Sequence, residues 1–296
     1  MNAIAVIVPV FNRASLAERA LRSVRKQSLA AAEFVVVDDG SSEAMDALRA
    51  DVLSGGGRWI TLPENRGPAA ARNAGVAETS SPWITFLDSD DEWASWKLER
   101  QLAWHQSHPD MRISQAQDQW FRKGEAILRP SHWQMQEGDL FAESVERCSI
   151  TPSAVMLHRT IWDELGGFDE RFRVCEDYEL WLRLTREYPV GLVGGEPFVR
   201  RHGGRPDQLS SITPAMDRHR IAALLELLDS GSLSPSQQDH VLRGIKEKAT
   251  ILAAGAAKRG RPGRAAFYHE LGQADLIGLG QRLNPIKSEA FRQMNE

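Results

Sequence analysis

Over the first 110 residues, short apolar runs alternate with segments whose apolar positions recur at helical spacing. The runs IAVIVPVF (4–11), FVVVD (34–38), RWITL (58–62) and WITFL (83–87) are rich in β-branched and aromatic residues. Between them lie SLAERALRSVRKQ, SEAMDALRADVL and GPAAARNAGVAE. In the first of these, Leu16, Ala20, Leu21 and Val24 share a helical face. Near-continuous apolar strands alternating with helices predict an α/β fold: a mostly parallel, Rossmann-like sheet with helices on both faces.

Residues 111–150 lose that regularity and are rich in Gln and Trp, which predicts a strand plus loops that shape a cleft. Beyond them come SAVMLHRTIWDELGGFDERF (153–172), the amphipathic EDYELWLRLTREY (176–188), and strand-like PVGLV and PFVRRHGG. After about Pro214 the pattern is entirely helical, broken at DSGSLSPS and RGRPGR. No fixed period is sustained, so a repeat array is not expected.

Composition narrows the picture. With 296 residues, 42% of them hydrophobic, the chain suits one large domain, or one domain with an appendage. A net charge of -4 argues against a general polyanion partner, and so against nucleic acid. Two cysteines, Cys148 and Cys175, cannot build a disulfide framework, and point to a reducing compartment. The N-terminus lacks the features of a signal peptide, and no apolar stretch is long enough to span a bilayer. A cytoplasmic protein is expected. Peripheral membrane contact is left open, and the basic run AAKRGRPGR (256–264) is its candidate.

In a parallel sheet, ligands sit beyond the carboxyl ends of the strands. The distinctive residues lie there: Phe11-Asn12, Asp38-Asp39-Gly40, Glu64-Asn65-Arg66-Gly67 and Asp88-Ser89-Asp90. Asp88-x-Asp90 admits two readings. The pair converges on a hard cation such as Mg2+ or Mn2+, or it belongs to an acidic loop at a helix start. Asp91 and Glu92 suit the helix start better than the metal. Asp39 could accept hydrogen bonds from a base or ribose, or simply close a strand–turn–helix junction. Arg66 and Arg72 flank a Gly67-Pro68 helix start and could face phosphates, or be exposed arginines on an ordinary helix. Glu176 and Asp177 open a helix, where the dipole favours an ionised carboxylate able to act as a base. An acidic helix start without chemistry fits equally. His202, on RRHGG, is a candidate for metal or phosphate, or a structural histidine.

Taken in order, VIVPVFNR, QSLAAAEFVVVDDGSS, NRGPAAARNAG, WITFLDSDDEW and EDYELWLRL resemble the family 2 glycosyltransferases, across about residues 3–204. The resemblance implies the GT-A fold. It divides the chain into a glycosyltransferase domain (1–213) and a C-terminal helical region (214–296). Within the domain, 1–110 would be the nucleotide-binding half and 111–213 the acceptor and base half. It implies an inverting, metal-dependent transfer from a nucleoside-diphosphate sugar, a UDP-sugar by preference, to a carbohydrate or lipid-linked acceptor of the cell envelope. Pro9 and Phe11 would flank the base, Asp39 would bond its edge, and Arg66 and Arg72 would lie near the nucleotide. Asp88 would contact ribose or sugar and support the metal, and Asp90 would coordinate it, with His202 nearby. Asp177 would be the general base and Glu176 would orient it. Removing residues 215–296 is then expected to affect acceptor use or solubility more than donor binding.

The rival enzymes fit poorly. The first strand runs into VPVFN, which lacks the D-x-D of an aspartyl phosphatase. It is also without the Gly-rich loop of a nucleotidyltransferase or dinucleotide enzyme. A non-catalytic nucleotide-sugar-binding protein of the same fold is the remaining alternative.

Overall fold

A computed structural model describes residues 3–128, 130, 133–206 and 208–295. The chain opens with β1 (Ile4–Val10), α1 (Ala14–Arg25), β2 (Glu33–Asp38), α2 (Asp46–Ser54), β3 (Arg58–Thr61), α3 (Pro68–Ala77) and β4 (Trp83–Phe86). This is the predicted alternation. It continues through β5 (Glu92–Trp93), α4 (Lys97–Ser107), β6 (Ile113–Ala116), β7 (Asp118–Arg122), β8 (Glu125–Ile127) and α5 (Phe141–Glu146). Then follow β9 (Val155–His158), α6 (Arg159–Leu165), α7 (Glu176–Glu187), β10 (Gly191–Val193) and β11 (Val199–Gly203). Helices α8 (Leu209–Ile212), α9 (Asp217–Asp229), α10 (Pro235–Lys258), α11 (Pro262–Gln273) and α12 (Leu276–Asn295) complete it.

The main sheet has the order β10-β6-β9-β4-β1-β2-β3. All of its pairings are parallel except those of β9, which runs antiparallel to both β4 and β6. Strand β1 is an interior strand, between β4 and β2, which explains its unbroken apolar run. Pro9 is tolerated there for a positional reason. Leu87 N–H donates to Ile7 O, so Ile7 and Pro9 face β4, and β4 has ended before it reaches Pro9. The missing N–H therefore falls where no partner strand runs. The sheet opens at that point.

A second sheet, β5-β11-β7-β8, stands beside the first. Glu92 enters it rather than a helix, and Asp91 closes the turn just before: Glu92 begins β5, which pairs with Val199–Arg200 of β11, and the next helix starts only at Lys97. The expected helix-start role of these two residues is therefore incorrect. Pairing to a segment over a hundred residues away decides their conformation.

The helical region is not set apart. One apolar core joins Phe172, Tyr178 and Leu182 to Ile221, Leu224, Val241 and Ile245. Val145 O accepts from Tyr178 Oη (2.7 Å) and from Lys248 Nζ (2.9 Å), so α5, α7 and α10 meet at one carbonyl.

Candidate active site

A cleft of about 820 Å3 opens at the carboxyl ends of β1, β2 and β4, roofed by the second sheet and by the start of α7. Pro9, Phe11, Asp39, Arg72, Asp88, Asp90, Glu176, Asp177 and His202 all line it. Side chains from both ends of a 200-residue span thus share one space.

Asp39 follows β2 and is buried. Its Oδ1 accepts the Arg66 N–H (2.8 Å), and its Oδ2 accepts the Gly67 N–H (2.8 Å) and Asn65 Nδ2–H (2.9 Å). The carboxylate thereby fixes the loop that starts α3. Gly40 permits this approach: its φ is +68°, and a Cβ there would lie 2.5 Å from the Glu64 carbonyl carbon. Burial raises the Asp39 pKa, against the pull of the Arg66 and Gly67 amides.

The β4 end makes a tight turn, with Asp91 N–H donating to Asp88 O. Asp91 points inward. Its Oδ2 accepts from Ser153 Oγ (2.6 Å) and its Oδ1 from His202 N–H (3.2 Å). Burial pushes its pKa up to about 8; Arg201 opposes this, and Asp90 and Asp88 reinforce it. Asp88 receives Arg72 Nη2 at 2.6 Å, and Asp90 Oδ2 faces Arg205 Nη2 (3.3 Å) and Arg13 Nη1 (3.5 Å).

Helix α7 begins after Cys175, which holds a left-handed φ of 62°. Glu176 is buried and takes Arg72 Nη1 at 2.7 Å; burial, then the neighbouring Asp177 charge, raise its pKa against the pull of Arg72. Asp177 Oδ1 accepts the Tyr178 N–H (2.7 Å), and its Oδ2 accepts Cys148 Sγ–H (3.3 Å).

Two expectations need correcting. Arg66 does not line the cleft: its guanidinium pairs with Glu170 Oε2 at 2.5 Å, and only its backbone serves the site, by holding Asp39. Once that N–H is fixed inward, the side chain is turned to the opposite side. Arg72 does line the cleft, but both terminal nitrogens are taken by Asp88 and Glu176. Sequence reasoning also missed Arg13, Arg173 and Arg201, which line the cleft, Arg205, which reaches Asp90, and Ser153 and Cys148 beneath it. Arg13, Arg201 and Ser153 stood inside quoted segments and Cys148 was noted only as one of two cysteines; nothing local marked Arg173 or Arg205.

The fit to a divalent ion rests on the donor chemistry. Among the described residues, no group of three or more His, Cys, Asp or Glu is gathered tightly enough to hold a metal. Mg2+ and Mn2+ are commonly held by one or two carboxylates, with phosphates and waters completing the shell. Asp90 meets that need. The buried Nε2 of His202 makes no hydrogen bond and lies 3.9 Å from Glu92 Oε2. Burial, then Arg19, lower the His202 pKa, which favours the neutral, ligating imidazole. Asp88 is committed to Arg72.

The model of the family described as "Glycosyl transferase family 2" matches residues 5–165, ending before α7. An uncharacterized glycosyltransferase of Rickettsia conorii is 32% identical over 202 residues, covering 68% of this chain and 33% of that protein. The chain thus spans about a third of the first curated relatives it matches. The UDP-Glc:alpha-D-GlcNAc-diphosphoundecaprenol beta-1,3-glucosyltransferase WfgD of Escherichia coli is 30% identical over 196 residues, covering 64% of this chain and 72% of that protein. Among solved structures, S. aureus TarS 1-349 in complex with UDP superposes with a TM-score of 0.70 at 14% identity, covering 99% of this chain and 90% of that one. That likeness identifies the GT-A fold.

Proposed function

The chain belongs to glycosyl transferase family 2, and on that premise we propose that it moves a sugar from a nucleoside-diphosphate donor to an acceptor hydroxyl, with inversion. One observation carries the reading: Asp39, Asp88, Asp90 and Asp177, from three separate strand or helix ends, face one arginine-lined cleft.

The donor nucleoside lies against Pro9 and Phe11, with Asp39 at the edge of the base; a uracil edge is favoured. Asp39 is suited to this because three hydrogen bonds already hold it rigid. Arg13, Arg173 and Arg205 meet the diphosphate. Asp90 and His202 would hold a divalent ion, Mn2+ or Mg2+, which supplies charge neutralisation for the departing diphosphate. Asp177 takes the acceptor proton as the hydroxyl attacks, and its second oxygen stays bonded to Cys148 during that transfer. A single base suffices for in-line attack, so the product is inverted.

The outer part of the cleft is apolar. Trp120, Ile127, Leu209 and Ile212 line it, and Ile212 is 59% exposed. This rim supports a lipid-linked acceptor in cell-envelope polysaccharide synthesis, the class that the WfgD relative's name describes. Among the described residues no helix is long and apolar enough to cross a membrane, and peripheral contact at the cytoplasmic face fits such an acceptor.

The test is release of nucleoside diphosphate from a panel of UDP-, GDP- and dTDP-sugars, with and without Mn2+. Metal-dependent release from at least one donor is expected. Binding of UDP with no turnover of any donor, with or without lipid-linked acceptors, would instead identify a non-catalytic binding protein.

A further inference from the structure

Arg72 is a deeply enclosed cation of the cleft. It is 4% exposed, its guanidinium stands 5.1 Å from the centre of the Phe168 ring, and its Nε makes no hydrogen bond. Its two terminal nitrogens leave in opposite directions: Nη2 to Asp88 at the end of β4, Nη1 to Glu176 at the start of α7. No backbone hydrogen bond joins those two segments directly. The run Ala69-Ala70-Ala71 before it is buried, and these small side chains let α3 press against β1 and β2 and carry Arg72 into the gap. One planar fork therefore spans the donor side and the base side of the cleft.

We propose that Arg72 is a positioning residue: it holds Glu176, and with it the first turn of α7 that carries Asp177, in register with Asp88. This rests on the reading of the cleft as a transferase site, and deepens it. Arg72 carries one positive charge between two carboxylates. A donor hydroxyl that engages Asp88 weakens its hold on the guanidinium, which then closes more firmly on Glu176. Occupation of the donor side is thereby transmitted to the base without any contact between donor and Asp177. A lysine cannot replace this, because an ammonium reaches one carboxylate well but does not match two at fixed angles.

The experiment compares Arg72→Gln, Arg72→Lys, Glu176→Gln and the double variant Arg72→Gln/Glu176→Gln with the wild type. UDP affinity is read by calorimetry, donor turnover by UDP release from UDP-glucose or from whichever donor the wild type uses, and folding by thermal unfolding. Arg72→Gln is expected to lower kcat about 100-fold while UDP affinity stays within about threefold, the split of a group acting on the base rather than the nucleotide. Arg72→Lys should recover about tenfold of that loss. The double variant should be no slower than Arg72→Gln alone, because both changes break one linkage. It should also melt higher than Arg72→Gln, since a buried carboxylate without a counter-ion has been removed. A fall in UDP affinity of about tenfold or more with kcat retained would make Arg72 a nucleotide contact and overturn the proposal. Additive losses in the double variant would overturn it too. If Arg72→Gln does not fold, Arg72→Lys and Glu176→Gln carry the same comparison. A wild type that turns over no donor defeats the transferase reading, while the melting order still decides whether Arg72 and Glu176 form one linkage.

Discussion

The two sides of the cleft are built on different principles. The donor side rests on strand ends: Asp39, Asp88 and Asp90 project from the edge of a sheet whose central strands are buried on both faces, and backbone amides fix Asp39 within a few residues of α3. The other side, which carries Asp177, the proposed base, rests on one helix. The first turn of α7 reaches the cleft, while Tyr178 and Leu182 behind it are packed into the core of α9–α12. The sheet edge presents its carboxylates with help from neighbouring segments of the same edge, the 65–67 loop and Ser153. A helix end is positioned by whatever its far face leans on. The C-terminal helices are thus part of the mounting of Asp177, the proposed base.

Deleting residues 215–296 is the largest way to break this comparison. The sequence led us to expect a larger effect on acceptor use or solubility than on donor binding, but the shared core means that the cut bares Phe172, Tyr178 and Leu182 together. Removing several large buried contacts costs well over ~5 kcal/mol. The truncated chain is expected to lose cooperative thermal unfolding, and a truncation that melts sharply and binds UDP normally would restore the simple division.

Asp177→Asn acts on the base side alone. It should lower kcat by about 10²–10⁴ with UDP affinity nearly unchanged. Isothermal titration alongside donor turnover checks both; lost affinity with retained rate would move the base elsewhere.

Asp91→Asn sharpens the donor side through pH. The folded-state pKa of Asp91 is raised to about 8 from a usual value of 3.8, burial being the main cause. A group raised in this way favours the fold most below its ordinary pKa. That contribution is lost as pH climbs toward 8. Unfolding free energy should therefore decline across this window in the wild type, and decline less in Asp91→Asn. An equal fall in unfolding free energy between pH 5 and pH 8 in the two proteins, read from urea titrations, would contradict the assignment.

Tyr178→Phe has the smallest expected effect, about 1 kcal/mol, from one hydrogen bond to a carbonyl that Lys248 still serves. A larger drop in melting temperature would show that α5, α7 and α10 are coupled more tightly than a single bond implies.

Much of this was legible in the sequence, for physical reasons. β1 to β4 and α1 to α3 follow directly from local periodicity, and their polar ends mark the ligand edge. Asp39, Asp88, Asp90, Glu176, Asp177 and His202 were expected in one place and line one cleft. What stayed hidden depends on distant partners. Glu92–Trp93 is a strand only because β11 lies beside it. The outward turn of Arg66 needs Glu170, and the burial of Arg72 needs Glu176, each 104 residues away. Residues 276–295 were placed in the helical region, but α12 was not set apart there, because Gly278 and Pro285 interrupt its pattern. The chain accommodates Pro285 by leaving helical geometry at Arg282, where φ is -124°.

The reversed course of β9 has a consequence for how such a protein diversifies. Every neighbouring strand delivers its finish to the ligand edge, whereas β9 delivers its outset, so Ser153 stands beneath Asp88 and Asp91. Lengthening the stretch before β9 remodels the pocket wall without disturbing the sheet, while lengthening the stretch after it alters only the far rim. Variation in substrate choice among kin of this chain should accordingly gather upstream of Ser153.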